Sequence, residues 1–330
     1  MMFTRLPRLV CGLAIATAAA ALATDAVAQA FPSKPVKVLV PYPPGGPVDG
    51  VARGLTQSLA TLWGQPVVVE NRPGANEIIA VQTTAKSPAD GYTLLLGTEA
   101  AYSLNGFLYA NLPYDPVRDL APISKVVHVN MVLIVKGDLP VSNLKEFVAL
   151  MKKEGKSHNY GSAGAGGTTH LAMEGFKRDA GFEMAHVPYK GIAPAVSDML
   201  AGSIDAMFAG MTAATPHLKS GKMKILAISG AKRAKSLPDV PTFREAGYLA
   251  TEASFYLGLT APAGTPAPVV AKIAADVRKV VSDPAFQERF MAPYGFDAVG
   301  DTPGEFAAFL KKDREVSEQK IKAVGVKLDY

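Results

Sequence analysis

The residue types that could do chemistry in this chain are hydroxyls, imidazoles and glycines, and their spacing decides among the chemistries. The run Gly161–Gly167 reads G-S-A-G-A-G-G. It lacks the G-x-G-x-x-G spacing of a dinucleotide loop and any Gly-Lys-Ser/Thr, so neither phosphate-cradling mechanism is supported. Gly161-Ser162-Ala163-Gly164 falls one residue short of a G-x-S-x-G nucleophile elbow. The five histidines, His128, His158, His170, His186 and His217, show no metal spacing such as two on one helix face. His170 at a helix start and His186 inside a strand read as structural. No nucleophile–base pair or carboxylate dyad shows at a useful spacing. The chain therefore does not read as an enzyme, and no catalytic residue, metal site or cofactor is expected.

What remains is recognition of an anion by backbone. The stretch Val36–Val51 reads V-K-V-L-V-P-Y-P-P-G-G-P-V-D-G-V. Its apolar start is a buried strand, ended by Pro41, Pro43, Pro44 and Pro47, which cannot donate to a ladder. Gly45 and Gly46 let backbone approach a ligand, and Asp49 is expected to cap a helix running to about Leu62. Free N–H groups at the positive end of a helix dipole make an anion site, although an ordinary strand-to-helix turn has the same make-up. Repetition carries more weight. The loops Pro41–Val48, Thr98–Ser103, Gly161–Thr169, Pro188–Ile192 and Ala209–Thr215 all follow predicted strands, the edge where open α/β sheets bind ligands.

Candidate ligand-binding residues from these loops and strand ends are Tyr42, Pro43, Gly45, Gly46, Asp49, Thr98, Tyr102, Ser162, Gly166, Thr168, Thr169, Asp205 and Phe208. Asp205, set in a predicted strand, either bonds backbone N–H groups or accepts from a ligand. Lys190 reads as a solvated loop lysine. If Tyr42, Tyr102, Phe208 and Met211 line one cleft, an aromatic acid fits at least as well as a short aliphatic one. The alternative is that these side chains pack the lobes.

The elements that must position these loops alternate. Strands are expected at Pro66–Glu70, Thr93–Gly97, Asn159–Ala163, Glu183–Val187, Ile204–Phe208 and Lys224–Ser229, with helices between, which indicates parallel α/β layers. Two adjacent runs, Ile123–Val129 and Met131–Val135, break the rhythm where the chain is expected to pass into a second domain, and Phe255–Thr260 is the expected return. Asn143 with Glu146, and Thr242 with Glu245, have capping-box spacing. The last third is expected to be helical over Ala267–Ser282, Pro284–Tyr294 and Pro303–Ala323. These crossings place 29–127 and 256–330 in lobe 1 and 128–255 in lobe 2, so the first domain is discontinuous.

Composition supports an exported protein. The chain has 330 residues, 48% hydrophobic and 19% charged, enough for two domains and a large core. Residues 1–28 read as a secretory signal: Arg5 and Arg8, an apolar run from Leu9 to Ala23, then Ala26-Val27-Ala28 for cleavage. The only cysteine, Cys11, lies inside it, preceded by Val10 where a lipoprotein signal would have a small residue. The mature chain then has no disulfide, thiol nucleophile or thiolate metal site. Without residues 1–28 the chain carries 34 − 2 = 32 basic and 29 − 1 = 28 acidic residues. No basic run accompanies that mild excess, so nucleic acid is not an expected partner.

The motifs also resemble a known family. Val40-Pro41-Tyr42-Pro43-Pro44-Gly45-Gly46, Gln65-Pro66-Val67-Val68-Val69-Glu70-Asn71-Arg72, Asp90-Gly91-Tyr92-Thr93-Leu94-Leu95 and Leu112-Pro113-Tyr114-Asp115-Pro116 recur in order. Tyr160-Gly161-Ser162, His186-Val187-Pro188-Tyr189-Lys190-Gly191, Leu237-Pro238-Asp239-Val240-Pro241-Thr242 and Ala261-Pro262-Ala263-Gly264-Thr265-Pro266 follow them. Together they resemble the Bug family of periplasmic receptors, the extracytoplasmic components of tripartite tricarboxylate transporters. The resemblance implies a two-lobed type II periplasmic binding (Venus-flytrap) fold, with the loops of both lobes gripping a carboxylate largely through backbone and ordered water. It implies a monomeric periplasmic receptor, partnered by integral-membrane transporter subunits, for a small organic carboxylate, with aromatic and aliphatic dicarboxylates among the candidates. A receptor signalling through a sensor kinase would have the same sequence features. Three departures bear on the ligand: Gly74-Ala75-Asn76-Glu77 where the family often has Gly-Ala-Gly-Gly, Phe255 where it often has Trp, and Asn105-Gly106-Phe107 in place of the usual Asn-Pro.

Overall fold

A computed structural model describes residues 31–230, 232–234, 236–248, 254–292 and 295–324. The expected signal, residues 1–28, lies outside them. The described residues from Lys34 onward form one compact unit.

The unit opens with β1 (Val36–Val40), α1 (Pro47–Trp63), β2 (Val67–Asn71), α2 (Ile78–Ala85) and β3 (Thr93–Gly97). β1 lies between β2 and β3, parallel to both, as the strand–helix alternation requires. The segment after β3, expected as a loop, is a π-helical turn over Ala100–Leu104 running into the short α3 (Asn105–Leu108).

The largest difference from expectation is β4 (Leu120–Lys136), one strand of 17 residues in place of two. Its first part, Leu120–Asn130, runs antiparallel to β9 (Ser254–Pro262), which also borders β3. From Met131 to Lys136 it pairs instead with β7 (Ala206–Gly210) and β8 (Met223–Ile228). The chain changes lobe by changing partners, without a turn. Side chains beyond the switch alternate with the period of a strand buried on both faces. Met131, Leu133 and Val135 enter a core with Phe147, Phe176 and Phe208, and Val132 and Ile134 enter one with Met199 and Met207.

The second lobe holds α4 (Leu144–Glu154), β5 (Asn159–Ser162), α5 (Thr168–Ala180), β6 (Ala185–Pro188), α6 (Ile192–Leu200) and the short α7 (Thr215–Leu218). Its strand order continues β4–β7–β5–β6, with β5 parallel to both β6 and β7. After β9 the chain completes the first lobe with α8 (Ala267–Val281), α9 (Pro284–Phe290), β10 (Phe296–Ala298), which pairs with β4, and α10 (Pro303–Val324). That lobe's core gathers Leu39, Ile78, Leu95, Tyr102, Tyr256 and Phe306. A small apolar cluster of Leu104 and Leu108 with Leu171 of α5 and Ile321 of α10 ties the lobes together.

Candidate functional site

The carboxyl ends of β1, β3, β5, β6 and β7 lead into loops that meet at one cavity. Tyr42, Pro43, Gly46, Val48, Asn76 and Thr98 line it from the first lobe. Ala163, Gly167, Thr168, Thr169, Gly191, Ile192, Ala193, Pro194, Ala209 and Gly210 line it from the second, with Phe255 at the junction. No charged side chain is in this lining.

Three helices begin there. The residues preceding α1, α5 and α6 are Gly46, Gly167 and Gly191, and none of these helices has a side-chain cap. Their first N–H groups have no intrahelical acceptor and sit at the positive end of a macrodipole. The lobes are close here. A Cβ built on Gly191 would lie 3.5 Å from Pro43 Cδ, and one on Gly167 would lie 3.3 Å from Asn76 Oδ1.

Of the sequence candidates, Tyr42, Pro43, Gly46, Thr98, Thr168 and Thr169 line the cavity, and the others do not. Asp49 is not the cap of α1 but a first-turn residue facing back along it. Its carboxylate accepts from Gly45 N–H (2.9 Å), Asn71 Nδ2 (2.9 Å) and both guanidinium arms of Arg53 (2.8 and 3.0 Å). Burial opposes its ionisation, yet these bonds hold its pKa below the usual value. Gly45, with φ +86°, shapes that turn.

Asp205 precedes β7, at the strand edge away from the cavity. It pairs with Lys136 (2.8 Å) and His158 (3.1 Å) and accepts from Asn159 N–H (2.9 Å), pinning the start of β5. Tyr102 is sealed in the first lobe's core, where it donates to Gly258 O (2.8 Å) and stacks on Tyr256. Phe208 stacks on Phe243 in the second lobe (5.4 Å), and Met211 is buried in that lobe's other core. The aromatic side chains at the cavity are instead Tyr42 and Phe255. Membership of a strand-end segment does not say which way a side chain points: the pleat of β7 turns Phe208 inward, and the π-helical turn does the same for Tyr102.

Ser162 is fully buried behind the loop, 2.7 Å from His186 Nε2. This hydroxyl–imidazole pair, absent from the sequence-level expectation, joins residues on neighbouring strands. His186 stacks on His170 at 3.9 Å, and His170 Nδ1 accepts from Gly166 N–H (2.9 Å). Burial, with His170 alongside, pushes His186 down to about 4. The stack is thus neutral and fixes Gly166, which has φ +70°, in the loop before α5.

Glu77 was not among the candidates. It is buried directly behind Tyr42 and Thr98. Tyr42 OH donates to Oε1 (2.6 Å), Thr98 OH donates to the same oxygen, and Thr98 N–H donates to Oε2 (3.0 Å). Burial raises its pKa against the pull of those bonds. Ala75, Asn76 and Glu77 all have positive φ, 46°, 47° and 75°. That conformation suits the glycines of the related motif and is costly for other side chains. The departure noted in the sequence was the available signal.

A two-lobed α/β molecule with a shared crossing strand and helix starts facing one interlobe cavity is a type II periplasmic binding protein. Residues 51–326 match the tripartite tricarboxylate transporter family receptor, and the chain belongs to that family. Protein BugT of Bordetella pertussis is 34% identical over 322 residues, covering 97% of this chain and 98% of BugT. The periplasmic binding protein BugD has a similar structure, with TM-score 0.85 and 36% identity over 91% of this chain and all of BugD. R. palustris Rpa4515 with adipate gives TM-score 0.87 and 30% identity over 91% of this chain and all of Rpa4515.

Proposed function

We propose that the protein is an exported receptor that captures a small organic carboxylate between its lobes and delivers it to the membrane subunits of a tripartite tricarboxylate transporter. The carrying observation is the convergence of three uncapped helix starts on a cavity lined by no charged side chain. Such a wall offers donors and positive dipole ends, which match a carboxylate. The adipate in Rpa4515 supports the same ligand class. The reading includes cleavage after Ala28, a monomeric protein in the periplasm, and lobes of 29–127 with 256–330 and of 128–255. Candidate contacts are those of Tyr42, Pro43, Gly46, Thr98, Thr168 and Thr169 together with Gly167 and Gly191.

Thermal-shift screening of the mature protein tests it. Carboxylates should stabilise where sugars and amines do not, by roughly 2.7 kcal/mol at ~100 times the dissociation constant. Equal shifts from neutral compounds refute the ligand class. Co-purification with a sensor-kinase ectodomain in place of transporter subunits would refute delivery.

A further inference from the structure

The donors at the cavity are not distributed evenly. On the side formed by Tyr42 and Thr98, each hydroxyl has one proton, and both protons go to Glu77 Oε1. The Thr98 N–H is taken by Oε2, and the Ala100 N–H is taken by Thr98 Oγ1 (3.3 Å). Asn76 gives one Nδ2 proton to Asn105 Oδ1 (2.8 Å). That orientation is fixed because Asn105 Nδ2 must donate to the Asn76 carbonyl (2.8 Å). Asn76 Oδ1 is the atom left towards Gly167 across the cleft. The hydroxyls on this side therefore meet a ligand as acceptor oxygens, backed by a buried carboxylate for which no ion-pair partner occurs among the described residues.

A second carboxylate placed here would find lone pairs opposite its own and a like charge behind them. A hydroxyl, an amide N–H or an ammonium would find acceptors. Glu77 holds this arrangement at a backbone angle of +75°, which disfavours every residue with a Cβ. Strain of that kind persists where the side chain has a task.

We propose that Glu77 sets the polarity of the cavity, so that the fitting solute carries one carboxylate for the helix starts and a hydrogen-bond donor at its other end. This rests on the carboxylate-receptor reading and narrows it, from acids in general to hydroxy, amino or amide-bearing monoacids.

Calorimetry on matched pairs decides it. The probes are succinate against 4-hydroxybutanoate and 4-aminobutanoate, and adipate against 6-hydroxyhexanoate and 6-aminohexanoate. The mature protein should bind the donor-bearing member at least tenfold more tightly than the diacid of equal length. Glu77→Gly accepts the left-handed backbone and frees both hydroxyl protons to rotate towards the cavity. In it the preference should fall at least tenfold or reverse. Glu77→Gln, close in shape and neutral, should move it the same way, so the comparison survives if the glycine variant folds poorly. A diacid bound as tightly as its partner by the unmodified protein overturns the proposal and leaves the receptor reading standing. So does a preference unchanged in both variants. Failure of every acid to bind overturns both.

Discussion

Helix starts at the cleft are built differently from those of α4, α9 and α10. α1, α5 and α6 begin after glycine, with no side-chain cap, at one cavity. α4 begins at Asn143, whose Oδ1 accepts from Glu146 N–H (2.9 Å). α9 begins at Asp283, which accepts from Ala285 N–H (2.8 Å). α10 begins with a capping box, Thr302 N–H donating to Glu305 (2.8 Å) and Glu305 N–H donating to Thr302 Oγ1 (3.3 Å). α8 follows Pro266 and also lacks a side-chain cap, so the missing cap alone is not the mark of the site. What distinguishes the cleft set is glycine at the cap together with convergence. At α4, α9 and α10 the protein satisfies helix donors with its own side chains, whereas α2, α3 and α7, like α8, have no side-chain cap and do not begin after glycine.

The comparison breaks most directly at Gly167. Its φ of −75° and ψ of 170° suit any residue, so Gly167→Val adds bulk without backbone strain. The new Cβ lies near Asn76 Oδ1, and its methyls project into the cavity. Binding of a carboxylate should weaken at least a hundredfold by calorimetry, with the ligand-free melting temperature little changed. Gly46→Val should act alike, since Gly46 has φ −80° and only Pro43 O, at 3.8 Å, near its added Cβ. Normal affinity in a folded Gly167→Val protein would place binding elsewhere. Gly166→Val is a poorer test, because φ +70° mixes strain with occlusion.

The sequence carried the strand-end loops and the glycines, because proline and glycine punctuate backbone locally. The reciprocal pair at Thr242–Glu245 formed as its spacing required, and Asn143 caps α4 while the Glu146 carboxylate reaches back to Ser142 N–H. The continuity of β4 was not legible, because Asn130 resembles a break and only the partner strands change there. Nor were the inward turns of Tyr102, set by the π-helical turn, and of Phe208, set by strand pleat and register. Asp49 matched a cap by residue type, but Arg53 one turn on and Asn71 on the next strand claimed its carboxylate. Glu77 was visible only as a departure from glycine. Its meaning came from the positive φ and the two hydroxyls it engages, which lie 35 and 21 residues away.

A buried carboxyl stands beside the start of α5, and pH should reveal it. Thr168, the first residue of α5, favours the ionised form of Glu99, a buried carboxyl just after β3. Burial first, then Asp313 and Glu77, raise Glu99, while Lys320 and Thr168 oppose, and the result is a pKa of about 7. A carboxyl raised from 4.5 takes up a proton on folding between those values. Its contribution to stability is thus present below about 4.5 and lost as pH rises through 7, by up to about 3 kcal/mol. Glu99→Gln cannot ionise. Its melting temperature relative to the unmodified protein should climb from about pH 5 to about pH 8. Parallel curves across that range would show that Glu99 is not held protonated.

The smallest effects test the two sets against each other. Asn143→Ala removes an outer cap and should cost about 1 kcal/mol, a shift of roughly 2–4 °C for a chain of this size, with ligand affinity unchanged. Gly167→Ser does the reverse at the cleft. Its hydroxyl can accept from the open N–H groups of α5, and serine exceeds glycine as a cap by only a few tenths of a kcal/mol. The ligand-free protein should therefore melt slightly higher, while affinity for a carboxylate falls because the donors are already engaged. The two readings must move in opposite directions. If Gly167→Ser raised both, or lowered both, the N–H groups at α5 would not be the ones the ligand uses, and the contrast between capped and uncapped starts would carry no functional meaning.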